Sequence, residues 1–312
     1  MPADGDTLST ASAVSTLGLT KHYGSLRALD RVDLAVPSGS VYGLVGPNGA
    51  GKTTMLGILA GLRTPTDGTV TIDAPTVGVV PDTPNFDRWL TGREVVELSR
   101  SLANRALAVD GVGTNETPPN APSAILERSG LADAADRRVR GYSRGMLQRL
   151  GIAASVVNEP DLLLLDEPAA ALDPAGRREV LDLVRDLRGK STVLFSSHIL
   201  DDVQEVCDEI GILRRGELVY QGGLDGLLSR YVSNRFIVRV RSGADEIASS
   251  LDGQPWVSSA SATDQGVVTV QVSNVDEAEA ELVKVLAESG HSVQSIAPVS
   301  SSLEEVFLEV TE

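Results

Sequence analysis

The chain has 312 residues, room for one large domain or two of ordinary size, and its 42% hydrophobic content supplies a proper core. A formal net charge of −16 disfavours a polyanionic nucleic acid as partner. No apolar run reaches the roughly 18 residues of a membrane span, and the single cysteine, Cys207, allows no internal disulfide and reads as a small buried hydrophobe.

Residues 1–14 are polar and aperiodic and read as a loose tail; "MPADGDTLSTASAVST" lacks the basic start and apolar stretch of a signal peptide. Strand-like runs come next in "STLGLTKHYG", "ALDRVDLAV" and "VYGLVG" at 41–46. The last of these meets a glycine-rich turn and the helix-prone "KTTMLGILAGL". After "GTVTID" and "VGVV" the character changes. Residues 90–158 read as helices, interrupted at 108–123 by "AVDGVGTNETPPNAPS", whose Pro, Gly, Asn and Thr content is that of a surface loop. Strand and helix alternate again from 161 to about 228, the pattern of a parallel sheet covered by helices. A second unit begins near 231. "RFIVRV", "ADEIASSL", "WVSSASAT", "GVVTVQV", "DEAEAELVKVLAES" and "SVQSIAPV" give the order βαββαβ, with a turn at 264–266, and suggest a ferredoxin-like sandwich. A last helix, "SSLEEVFLEV", opens on a capping-box pattern, Ser301 or Ser302 ahead of Glu304 and Glu305.

The chemistry concentrates at three strand ends. "GPNGAGKT", Gly46 to Thr53, matches the spacing G-x-x-x-x-G-K-[ST] between a strand and a helix. Glycines let the backbone wrap an anion, successive N–H groups form a nest, and the helix N-terminus adds partial positive charge. The expected nucleotide contacts here are Gly46, Asn48, Gly49, Ala50, Gly51, Lys52, Thr53 and Thr54. Lys52 can reach the β and γ phosphates, and Thr53 can offer its hydroxyl to Mg²⁺. "LLLLDE", Leu162 to Glu167, reads as a strand buried on both faces and ending in two carboxylates, Asp166 to hold Mg²⁺ through water and Glu167 to polarise the attacking water. "VLFSSH" is another apolar strand, ending in His198 where it would approach the γ-phosphate.

These elements, in this order, resemble the nucleotide-binding subunit of an ABC transporter over residues 15 to about 228. The resemblance implies a P-loop NTPase domain of α/β class at 15–229, with a helical subdomain at about 83–158, followed by a small α+β accessory domain at 230–312. It gives a role to "YSRGM", Tyr142 to Met146, which holds no catalytic side chain. In the family such a turn binds the γ-phosphate held by the opposite subunit, Ser143 through its hydroxyl and Gly145 through its N–H. Two copies would sandwich two ATP molecules head to tail. Tyr23 matches the aromatic that stacks on adenine, and Asp173 the acidic residue that couples the subunits. Three departures stand out: Arg144 and Met146 replace a glycine and a glutamine, Ala170-Ala171 replaces Ser-Gly, and Asp82 stands where a metal- and water-sensing glutamine is usual. Asp82 remains a hard oxygen ligand, shorter and charged. The "YSRGM" form, Asp82 and the C-terminal unit are similar to the branch that exports drugs, antibiotics, lipids or ions. There the ATPase is a separate chain docked on an integral-membrane permease, at the cytoplasmic face of the membrane. A soluble ATPase of a non-transport complex is the alternative.

Overall fold

The structure, a computed structural model, describes residues 11–109, 121–170, 172–230, 234–263 and 265–298, with 303, 304, 306 and 307. The chain divides into two compact units, one running to Leu224 and one spanning Asp225–Glu309.

The first unit opens with β1 (Ser12–Tyr23), β2 (Leu26–Val32) and β3 (Ala35–Pro37), followed by β4 (Val41–Val45), α1 (Lys52–Leu59), β5 (Asp67–Ile72) and β6 (Val77–Val80). The expected loose tail ends sooner than composition suggests. Ser12 and Val14 already pair with β3, and Ala13 and Val14 are buried. The rest of that tail, residues 1–10, lies outside the described residues. Three helices come next, α2 (Gly92–Val109), α3 (Pro122–Arg128) and α4 (Arg144–Val156). They close over a core that includes Val96, Leu126, Leu131 and Leu150. Most of the expected loop at 108–123, residues 110–120, falls outside the described residues. The alternation then resumes as β7 (Leu162–Asp166), α5 (Pro174–Arg185), β8 (Thr192–Ser197), α6 (Leu200–Val206), β9 (Glu209–Arg214) and β10 (Glu217–Gly223).

One sheet places β1 between β2 and β3 and also pairs it with β5, all antiparallel. The other runs β10-β9-β4-β8-β7-β6, parallel from β9 to β6. Every residue of β4, β7 and β8 is buried, as expected of central parallel strands covered on both faces. Gly43 in β4 admits Cys207 and Val203 against the sheet: a Cβ there would lie 2.8 Å from the Cys207 sulfur. Burial pushes the Cys207 thiol well above its ordinary pKa, so it behaves as a core hydrophobe.

The division of the chain falls at α7 (Leu224–Arg230), which groups with the C-terminal strands rather than closing the first unit. The second unit then runs β11 (Arg235–Val240), α8 (Ala244–Asp252), β12 (Val257–Thr263), β13 (Val267–Val272), α9 (Val275–Glu288) and β14 (Val293–Pro298). Its sheet has the order β12-β13-β11-β14 with every pair antiparallel. Val268, Val270 and Val272 alternate into a core that Ile247, Leu251, Ala278, Leu282 and Leu286 complete from the two helices. Asn274 caps α9 by accepting from the Glu277 N–H. Of the expected last helix, Leu303, Glu304, Val306 and Phe307 are described and helical. Its capping-box partners Ser301, Ser302 and Glu305, and Asp264 of the 264–266 turn, lie outside the described residues.

Candidate nucleotide site

Parallel order brings the carboxyl ends of β4, β8, β7 and β6 side by side. The crevice beyond such ends is where open α/β sheets take ligands. Each end delivers one expected element: the glycine-rich loop after β4, His198 after β8, Asp166 and Glu167 at β7, and Asp82 after β6. They line a cavity of about 550 Å³ together with Tyr23, Asn48, Gly49, Ala50, Gly51, Lys52, Thr53 and Thr54. Leu26, Arg27, Ala28 and Ala170 also border it.

The loop is shaped by its glycines. Gly49 and Gly51 have φ of 82° and 113°, conformations that side chains with a Cβ resist. Gly46 packs so closely on the Leu213 carbonyl that a Cβ would collide with it. Gly46 is absent from the cavity lining; its carbonyl instead accepts from Lys52 Nζ at 2.7 Å. No side chain caps the N-terminus of α1, so its leading N–H groups are left to an anion. Lys52, the first residue of α1, is 6% exposed and lies 3.2 Å from Glu167 Oε1. A phosphate entering the loop therefore competes with Glu167 for the ammonium.

The carboxylates are held differently. Asp166 Oδ1 accepts from Ser196 Oγ at 2.7 Å and from Thr53 Oγ1 at 3.2 Å. Glu167 has φ of 48°, an uncommon backbone for a residue with a Cβ. Ser196 stabilises it by accepting from the Glu167 N–H at 2.9 Å. The Glu167 carboxylate then lies between Lys52 and His198, whose Nδ1–H donates to Oε2 at 2.8 Å. A carboxylate only accepts, so this contact calls for a ring proton on Nδ1. Thr53, Asp166 and Asp82 provide hard oxygen donors in one cavity, a donor set suited to a small divalent cation that keeps water and substrate oxygens in its shell.

The remaining expected residues divide between the cavity and the turns at the starts of α4 and α5. Tyr23 ends β1, lines the cavity and is 43% exposed. Asp82 Oδ1 lies 3.8 Å from Arg144 Nη2, so two of the positions that depart from the family pattern face each other. Ser143 and Gly145 are outside the cavity lining. Ser143 is the N-cap of α4, its hydroxyl accepting from the Met146 N–H at 3.2 Å. Tyr142 anchors the turn by donating to the Ala134 carbonyl at 2.7 Å, with the Arg137 guanidinium 5.3 Å from its ring. Asp173 likewise caps α5, accepting from the Gly176 N–H. Sequence reasoning passed over Ser196, although a pair of serines closing an otherwise apolar buried strand is its signal.

A family model for ABC transporters matches residues 29–170, and one for the C-terminal domain of ATP-binding proteins like DrrA1-3 matches 222–311. The daunorubicin resistance ATP-binding protein DrrA3 of Streptomyces coeruleorubidus is 34% identical over 96% of this chain and 96% of its own. The chain belongs to the ABC transporter family, as an ATP-binding subunit. This cassette is also similar to the uncharacterized ABC transporter ATP-binding protein YxlF of Bacillus subtilis, 34% identical over 95% and 99% of the two chains. The bacitracin transport protein BcrA of Enterococcus faecalis is 31% identical over 94% of each. Among solved structures, a dimeric ATP-binding cassette in a post-hydrolysis state with ADP and phosphate matches 68% of this chain and 98% of that one, at 27% identity and a TM-score of 0.58. The cassette is thus an ATPase of the P-loop fold, in a family whose cassettes dimerise and work with membrane permeases. Among the described residues no helix is long and apolar enough to cross a membrane.

Proposed function

We propose that this cassette powers export of a drug- or antibiotic-like compound through a separate permease, from the cytoplasmic face of the membrane. The observation that carries the power stroke of this reading, ATP hydrolysis at a shared site, is the meeting of Lys52, Glu167 and His198 in one line of contacts at the strand ends, while Ser143 and Gly145 stand outside that cavity. The loop N–H groups and Lys52 bind the triphosphate, and Tyr23 stacks on the base. Glu167 orients the attacking water and takes up its proton, and His198, at the strand end that approaches the γ-phosphate, holds Glu167 in place through Nδ1. Thr53, Asp166 and Asp82 would hold Mg²⁺, which neutralises phosphate charge. A second copy completes the site, its α4 N-terminus and Ser143 hydroxyl meeting the γ-phosphate. A hollow of about 640 Å³ in the helical region, where the exposed Trp89, Leu98 and Leu102 stand beside Asp87 and Arg88, offers the permease a docking surface.

The names of the relatives, daunorubicin resistance and bacitracin transport, supply the cargo class. The test is efflux. Cells lacking this chain should accumulate more daunorubicin or bacitracin, and wild-type protein but not Lys52→Ala should restore export. Unaltered accumulation of both compounds would overturn the export reading.

A further inference from the structure

Tyr23 does not stand alone at the mouth of the cavity. Its Oη accepts a hydrogen bond from Arg63 Nη1 at 2.9 Å. Lys21 Nζ lies over its ring, 5.0 Å from the centroid, and is itself fixed by donating to the Thr64 carbonyl at 2.7 Å. Lys21 and Arg63 both border a second hollow on which Tyr23 also opens, and neither borders the nucleotide cavity. Arg63 in turn is tied to α1. Its N–H donates to the Gly57 carbonyl at 3.0 Å, and its stem lies where Gly57 has no side chain. A Cβ on Gly57 would come within 2.9 Å of the Arg63 Cδ and Nε.

From these contacts we infer that Arg63 and Lys21 are positioning residues for the nucleotide base, with Arg63 tying the Tyr23 ring to the far end of the helix whose first residues grip the phosphates. An aromatic ring on an exposed strand end has two faces and freedom about χ1 and χ2. A ring that must be ordered when the base arrives loses that freedom as part of binding. The Arg63 hydrogen bond and the Lys21 cation–π contact restrict it beforehand. Lys21 occupies the side away from the cavity, so the base is left the cavity side. Because Arg63 is bonded to α1, one helix links the base platform to the phosphate loop. The inference rests on the proposed stacking of Tyr23 on adenine.

Equilibrium binding of ATP and of inorganic tripolyphosphate to the full chain tests it, with Arg63→Met, Gly57→Ala, Tyr23→Phe and Tyr23→Ala. Gly57→Ala touches no proposed ligand contact and favours the helix, so it displaces Arg63 without threatening the fold. Arg63→Met and Gly57→Ala should each weaken ATP binding by about three- to tenfold and leave tripolyphosphate affinity unmoved. Arg63→Met should add nothing in a Tyr23→Phe background. If Tyr23→Ala weakens ATP while Arg63→Met binds like wild type, the tether is wrong and the platform stands. If Arg63→Met weakens both ligands equally, Arg63 acts through α1 in general, and the inference is overturned. If Tyr23→Ala binds ATP like wild type, the stacking reading fails and the inference goes with it.

Discussion

Two polar regions of the first unit are built in opposite ways. Around Lys52 the side chains answer one another: Lys52, Glu167, His198, Ser196, Asp166 and Thr53 form one run of contacts between 2.7 and 3.2 Å. At the turn before α4, Ser143 caps its own helix, and a Cβ on Gly145 would meet only Leu172, at 3.4 Å. The first arrangement holds its geometry unaided. The second presents a helix N-terminus outward, which has consequences only for something that comes to it.

The largest expected effects are on hydrolysis, one in each region. Glu167→Gln should lower hydrolysis by about 10²- to 10⁴-fold while ATP binding persists and dimers accumulate, as followed by light scattering; a monomer with wild-type turnover would contradict its role. Ser143→Arg should also abolish steady-state hydrolysis, but through the partner. Its monomer should bind ATP with unchanged affinity and lose about 1 kcal/mol of stability with the cap. Loss of ATP binding along with hydrolysis would place Ser143 in the site of its own chain. Ser196→Ala comes next. It removes the acceptor for the Glu167 N–H and a donor to Asp166, both within buried structure, and should cost about 1–3 kcal/mol in denaturant unfolding. Arg144→Ala breaks an ion pair whose partners are each about half exposed, and should change stability by less than about 1 kcal/mol.

The smallest effect concerns acid. Glu94, in the first turn of α2, accepts from the Thr91 N–H and hydroxyl, and these bonds hold its pKa below the ordinary value. Its contribution is therefore present above the unfolded-state pKa and is lost as pH falls through the lowered folded value. Unfolding midpoints of wild type and Glu94→Gln should converge as pH falls through the acid range; parallel curves would contradict the stabilising role of the Thr91 hydrogen bonds.

The sequence made the strand-end chemistry legible because each of its parts is local. A glycine spacing, a leucine run ending in two acids, and an apolar strand ending in histidine each need only a few neighbouring residues to be recognised. The parallel order that sets those ends in a row came from strand–helix alternation. The features that stayed hidden depend on distant pairs. Ser196 meets Asp166 across adjacent strands, Asp82 faces Arg144 from another element, and Arg63 reaches Tyr23 over 40 residues of chain. The edge of β1 was missed for a related reason: Ser12 and Ala13 look like tail, and only the pairing of β1 with β3, which begins at Ser12, makes strand of them. Composition likewise drew the unit boundary after α7, whereas contacts group that helix with the second unit.

Mixing two inactive variants tests the central claim most directly. Lys52→Ala supplies an intact signature turn and a dead grip, and Ser143→Arg supplies an intact grip and a dead turn. If each reaction centre is shared between two copies, the mixture should regain ATP hydrolysis that neither protein shows alone, through dimers holding one complete site. A mixture that stays inactive although the two variants form mixed dimers with ATP would contradict the account.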